Sequence, residues 1–236
     1  MSQVERIDQS SGAKYFGKTS PKELYDLQIN ARKATARQLA KAASYLEKAF
    51  QGIKTAWFGG FALKLRGSRR ETHDLDFLVL VPSVVEARAV LAQYSWAILA
   101  FYETPGGIQE RMFIDIDEEG QVVGVDIIIS GAIGTPNLNE SESYELIPPS
   151  FPTPQGSCVK VIHITWQVES KLTAWFGRRK NSDFLDLVFL LKNYGDEIAE
   201  WSQHLDKNMR EIFYQVYISN EKDKTGQEAA KKILSL

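Results

Sequence analysis

The chain has 236 residues, 44% of them hydrophobic and 25% charged, enough for one large domain with an ordinary core. Its 28 Lys and Arg stand against 30 Asp and Glu, a formal net charge of -2, which excludes a broadly basic nucleic-acid-binding surface and leaves room only for a local patch. Cys158 is the single cysteine, so no internal disulfide can form, which suits a reducing compartment.

Residues 1–19 are polar and mixed in charge and predict a flexible tail. They lack the apolar core of a secretory signal, and no stretch reaches the ~18 apolar residues of a membrane span. A cytoplasmic protein without a membrane partner is expected, with a nuclear or mitochondrial address left open. Ser20, Pro21 and Glu23 then form a helix start, with a capping serine, a proline at the first helical position and a reciprocal glutamate. Leu24, Leu27, Ala31, Leu39, Ala42 and Leu46 follow at three- and four-residue steps, with Thr35 between, which predicts one long helix to residue 50.

The apolar run 53–58 ends in Gly59-Gly60, and 61–65 reads as the start of a helix. A buried strand is predicted over 75–81, stopped by Pro82-Ser83, then a helix over 84–94 and a strand over 96–102. Pro105-Gly106-Gly107 is a turn. Residues 111–117 and 121–129 alternate on either side of Glu118-Glu119-Gly120, a hairpin signal. Pro136, Pro148, Pro149, Pro152 and Pro154 predict a loop over 131–156, read as a connector. One more strand is predicted over 159–164. Helical patterns follow at 166–177, 182–193, 195–218 with a break, and 221–235. Strands in the middle and helices at the end make an α+β fold. It comprises a 20–165 core with a short mixed β-sheet and a long N-terminal helix, and a 166–236 C-terminal helical bundle that closes over a site.

The site is expected around Asp74-Leu75-Asp76-Phe77. A strand alternates faces, so Asp74 and Asp76 point one way while Leu75 and Phe77 point into the core. Two carboxylates on one face repel, and a divalent cation relieves them; Mg²⁺ takes oxygen ligands and keeps substrate phosphates in its shell. Gly59-Gly60, ending a strand and opening a helix, leaves backbone N–H groups able to approach a phosphate. Asp126, alone in the apolar run Val125-Asp126-Ile127-Ile128-Ile129, is the candidate third acid, since a central-strand acid is costly unless it binds something. Ile114-Asp115-Ile116-Asp117 reads as the polar face of the hairpin near its turn. A two-residue turn at Glu118-Glu119 would put Asp115 and Asp117 on Asp126's face, and one at Glu119-Gly120 would put them on the other.

Phe58-Gly59-Gly60, thirteen residues, then Asp74-Leu75-Asp76, with Val125-Asp126-Ile127 downstream, resembles the nucleotidyltransferase superfamily signature. The segment from Gly67 to Phe77, with Arg69, Arg70 and Thr72, is similar to the small stand-alone branch that includes the AbiEii toxin-type transferases. Gln167-Val168-Glu169-Ser170-Lys171 resembles that branch's Gln-x-x-x-Lys motif, and Asp183-Phe184-Leu185-Asp186 its Asp-x-x-Asp motif. The double glycine departs from a Gly-Ser pair and lacks its hydroxyl.

The resemblance implies a transfer of NMP from a Mg-bound NTP to an unknown hydroxyl-bearing acceptor (small molecule, RNA or protein), with release of pyrophosphate. Asp74, Asp76 and Asp126 would be catalytic and hold two Mg²⁺ ions, Mn²⁺ being a substitute. Gly59, Gly60, Lys171, Asp183 and Asp186 would bind the nucleotide. Gln167 and Lys171 share a helix face, and Lys171 could reach a triphosphate. Asp183 and Asp186 could hold Lys171, a basic loop residue or the acceptor, or else make surface salt bridges with Arg178, Arg179 and Lys180. Two rival readings stand beside this one: a non-catalytic nucleotide-binding regulator on the same fold, and a toxin-like transferase acting on tRNA. His73 reads as a surface or packing histidine ahead of a base, His163 and His204 show no ligand spacing for zinc, the tryptophans read as core, and neither a P-loop nor a serine-hydrolase elbow is present.

Overall fold

Ser20 caps α1 (Pro21–Ala31): its hydroxyl accepts the Glu23 N–H at 3.2 Å while the Glu23 carboxylate accepts the Ser20 N–H at 2.9 Å. A second capping box follows. Thr35 and Gln38 exchange the same pair of bonds and start a new helix, α2 (Ala36–Ala49). The single long helix expected over 20–50 is therefore two. Thr-x-x-Gln offers the chain a fresh N-terminus worth about 1 kcal/mol, and the apolar stripe divides at that point.

The computed structural model describes residues 12–16, 19–116, 120–132, 134–150 and 158–236. They form one α+β unit around a mixed sheet of eight strands. The strands are β1 (Lys14–Phe16), β2 (Thr55–Phe58), β3 (Asp74–Val79), β4 (Ala97–Thr104), β5 (Gly107–Asp115), β6 (Val122–Ile129), β7 (Tyr144–Ile147) and β8 (Val159–Ile162), in the order β1-β4-β5-β6-β3-β2-β8-β7. Both edge strands fall where no strand was expected. Lys14–Phe16, in the stretch read as a tail, pairs parallel with β4, and Tyr144–Ile147, in the stretch read as a loop, pairs with β8. Three- and four-residue strands carry too little alternation to read from sequence, and they form because a neighbouring edge offers unpaired backbone groups.

The break between α1 and α2 takes the chain from one face of the sheet to the other. Leu39, Ala42 and Leu46 of α2 pack on Leu75, Phe77, Val79, Leu99, Ile114 and Val125, the main core. That face is also covered by α3 (Gly59–Leu65) and α4 (Val84–Leu91). Leu24 and Ala31 of α1 pack instead on Ile98, Ala100, Phe113 and Val122, which alternate with the first set. Further along that second face, Ala56, Leu78, Leu138 and Ile162 form another apolar cluster. Between these two clusters lie the acids.

The helical end consists of α5 (Ile164–Arg178), α6 (Asn181–Trp201), α7 (Lys207–Asn220) and α8 (Lys224–Ile233). Its core includes Val168, Leu172, Trp175, Leu187, Leu190, Phe213 and Tyr217, together with Leu63 from α3. The helix boundary expected at residue 194 is a kink inside α6, where Tyr194 leaves helical geometry, and the break expected within 195–218 separates α6 from α7. A Cβ on the next residue, Gly195, would lie 2.7 Å from Ile233 Cδ1, so the glycine lets α8 dock there. Among the described residues, no helix is long and apolar enough to cross a membrane.

Candidate active site

Asp74 and Asp76 stand on one face of β3, with Leu75 and Phe77 fully buried behind them. Strand β6 runs parallel to β3, with Asp126 directly opposite Asp76 and Gly124 opposite Asp74. In a parallel pair, opposed residues share a face, so all three acids project into the gap between the two apolar clusters. Their ligand atoms are not drawn as close as those of Glu145, His163 and Glu197, which alone among the described residues come within 4.8 Å of one another as a threesome. That second group contains His163, which chain spacing had left without partners. There the side chain of Arg66, 2% exposed, already pairs with Glu145 at 2.5 Å.

Like-charge repulsion at Asp76 and Asp126 is only partly compensated. Burial, then the charges of Asp74 and Asp126, push Asp76 up to about 7, against the opposing pull of Lys171 and of the Gly60 N–H that it accepts. Asp126 is also raised, by burial first and by Asp74, while Arg111 opposes. Its side chain is 52% exposed, so water moderates the effect. Arg111 Nη1 lies 3.5 Å from Asp126 Oδ1 with both partners open to solvent, a weak tether. Arg111 had no signal of its own in the sequence, because its place beside Asp126 depends on the hairpin register. Hard oxygen donors under like-charge pressure suit a divalent cation such as Mg²⁺.

The double glycine is required by close approach. Gly59 has φ +60°, and a Cβ on it would fall 1.9 Å from Asp76 Oδ2. A Cβ on Gly60 would fall 2.6 Å from Thr72 Oγ1 and 2.8 Å from the Arg70 guanidinium. The first turn of α3 thus lies directly against the acids and against the segment that leads into β3.

The helical end contributes from α5. Gln167, wholly buried, donates from Nε2 to the Gly59 carbonyl at 3.0 Å, while its Oε1 has no partner among the described residues. One turn on, Lys171 is 8% exposed, with Nζ 2.8 Å from Asp186 Oδ2 and 3.5 Å from Asp183 Oδ1. Each aspartate, 1% exposed, holds an arginine as well. Arg70 binds Asp186 at 2.5 and 3.0 Å, and Arg178 binds Asp183 at 2.6 and 2.8 Å. Burial works to raise the Asp183 carboxyl, but the bonds from Arg178 and the charge of Lys171 prevail and hold it low. Asp183 and Asp186 are therefore not surface salt-bridge formers. They are buried anions in an alternating chain from Arg70 through Lys171 to Arg178. Arg179 instead lies over the rings of Trp175 and Phe176.

The hairpin register separates Asp115 from the cluster. Asp115 pairs with Val122 and Met112 with Val125. Asp115 accordingly lies on Asp126's face, but four residues away along β6, about 13 Å at the usual strand rise. Phe113 and Val122, under α1, lie along that stretch. Asp117 lies outside the described residues.

The family model described as nucleotidyl transferase AbiEii toxin, type IV TA system, matches residues 42–232, from α2 through α8. The chain belongs to the AbiEii nucleotidyltransferase family. This AbiEii-family chain has no match among curated proteins. Its fold is similar to that of an antigenic nucleotidyltransferase-like protein from Paracoccidioides brasiliensis, with a TM-score of 0.56 at 14% identity, over 83% of this chain and 94% of that one. ANT(2")-Ia, solved in complex with adenylyl-2"-tobramycin, aligns at a TM-score of 0.48 and 14% identity, over 76% and 98% of the two chains. JHP933 from Helicobacter pylori aligns at 0.45 and 19%, over 86% and 91%.

Proposed function

We propose that this AbiEii-family protein transfers an NMP from an NTP to a hydroxyl-bearing acceptor, releasing pyrophosphate. The observation that carries this reading is the convergence of Asp74, Asp76 and Asp126 on one face beside Gly59, Gly60 and Lys171. Asp74 and Asp76 would hold two Mg²⁺ ions, and Asp126 would hold one. Bound there, Mg²⁺ would stabilise charge on the attacked α-phosphate and on the leaving pyrophosphate. Asp126, with its side chain 52% exposed, would orient the acceptor hydroxyl and take its proton as the new P–O bond forms and the bond to the β-phosphate breaks. Lys171, clamped by Asp183 and Asp186, would present its charge to the triphosphate. The backbone of Gly59 and Gly60 would let the phosphates approach closely, with the Gly60 N–H shared with Asp76. Catalysis would rest on positioning and electrostatics.

A toxin-like reading is favoured by the family description, and tRNA as its acceptor by exposed Arg69, Arg178, Arg179 and Lys180 on segments that flank the site. The deciding experiment is incubation with each α-labelled NTP, Mg²⁺, and either total RNA or a small-molecule panel. Transfer of label that disappears in EDTA and in Asp76→Asn is the expected result, and the labelled fraction names the acceptor class. Metal-dependent NTP binding with no transfer to any acceptor would leave a nucleotide-binding regulator. Absence of binding for every NTP would overturn both readings.

A further inference from the structure

We infer that Thr72 is a positioning residue for the metal, orienting Asp74 through its hydroxyl; this rests on the reading of the three aspartates as metal-holding. Thr72 Oγ1 donates to Asp74 Oδ1 at 3.2 Å. Thr72 is 6% exposed, although it lies in the loop between α3 and β3 and Asp74 itself is exposed. A threonine so enclosed has its χ1 confined by branching at Cβ, so the hydroxyl stays where the packing places it. Gly60 supplies the space: a Cβ there would fall 2.6 Å from Thr72 Oγ1 and 3.2 Å from Thr72 Cβ.

Each acid of the cluster has one such neighbour, of a different kind. Asp76 accepts the Gly60 N–H, and Asp126 faces Arg111. Asp74, which is exposed, would swing among rotamers if nothing held it, and ordering it would then fall on the ion. A neutral hydroxyl holds one carboxylate oxygen without cancelling its charge and leaves the other oxygen for the cation. Groups that orient metal ligands in this way typically change metal affinity by about 10–100-fold when removed.

The test is Mn²⁺ binding alone, followed by the loss of the free-ion electron paramagnetic signal, in wild type, Thr72→Val, Thr72→Ala, Thr72→Ser and Asp74→Asn. Circular dichroism checks that each variant is folded. Val keeps the shape without the hydroxyl, Ala vacates the space, and Ser keeps the hydroxyl. The expected result is about tenfold weaker Mn²⁺ binding for Val and Ala, near wild-type binding for Ser, and the weakest binding for Asp74→Asn. Wild-type affinity in both Val and Ala, with Asp74→Asn impaired, overturns the role of Thr72 while leaving the metal reading intact. Ser as weak as Val overturns it too, since packing rather than the hydroxyl would then be at work. A wild type that takes up no Mn²⁺, or an Asp74→Asn that binds it normally, overturns the metal reading itself.

Discussion

Asp76 is the residue on which the site's chemistry and the protein's stability bear in opposite directions. Its carboxyl is raised to about 7 by burial and by Asp74 and Asp126. A group whose folded value exceeds its unfolded value favours the folded state most at low pH and loses that contribution as pH rises. Metal-free protein should therefore lose stability between about pH 4 and pH 7, with Asp126 acting in the same direction. Urea melts in EDTA across that range should show a decline that Asp76→Asn flattens. A wild type whose midpoint rises with pH instead would contradict the electrostatics described for the cluster. The same substitution should abolish transfer, as should Asp74→Asn and Asp126→Asn, because each removes a charge that the transition state needs, worth several kcal/mol. Asp115→Asn, some four residues from the cluster along the strand, should keep most activity. If Asp115→Asn is dead and Asp126→Asn active, the third acid belongs to β5 and the proposed set is wrong.

Lys171 shows what an element adds to a residue. On sequence alone a lysine four residues after Gln167 is a mobile cation on a helix face, and removing it should hardly alter the melting temperature. In the fold it is buried between two buried aspartates contributed by α6. Lys171→Ala should then weaken NTP binding and also lower stability by about 1–3 kcal/mol. That is less than the 3–5 kcal/mol of a fully broken buried pair, because Arg70 and Arg178 continue to neutralise the aspartates. Calorimetric melting and nucleotide titration of the same variant check both halves; an unchanged melt would return Lys171 to the surface.

The contrast locates what is legible in a sequence. Asp74, Asp76 and the glycines could be read because strand periodicity and local spacing place them, and Ser20 because a capping box spans only four residues. The second cap at Thr35 was available in the letters Thr-Ala-Arg-Gln but was masked by an unbroken apolar stripe, which in fact serves two faces of the sheet. Arg70, Arg111 and the depth of Asp186 depend on pairings across 15 to 116 positions of chain, which no local pattern carries.

At the scale of the molecule, α3 is held in common by two cores. Phe61, Ala62 and Leu65 pack under the sheet, while Leu63, between them, is wholly buried among α5, α6 and α7. Leu63→Ala should cost about 2–5 kcal/mol. It should also weaken nucleotide binding, although the side chain lies in the helical core. Tryptophan fluorescence and circular dichroism, with Trp57 in the sheet core and Trp175 in the helical one, should report a single coincident unfolding transition. Two separated transitions would mean that the layers are independent. The first turn of this seven-residue helix presses on Asp76 and its first carbonyl is gripped by Gln167 of α5. The seating of the helical layer on the sheet therefore bears on the position of Asp76, so a molecule that docks on α5 should alter the spacing of the acids.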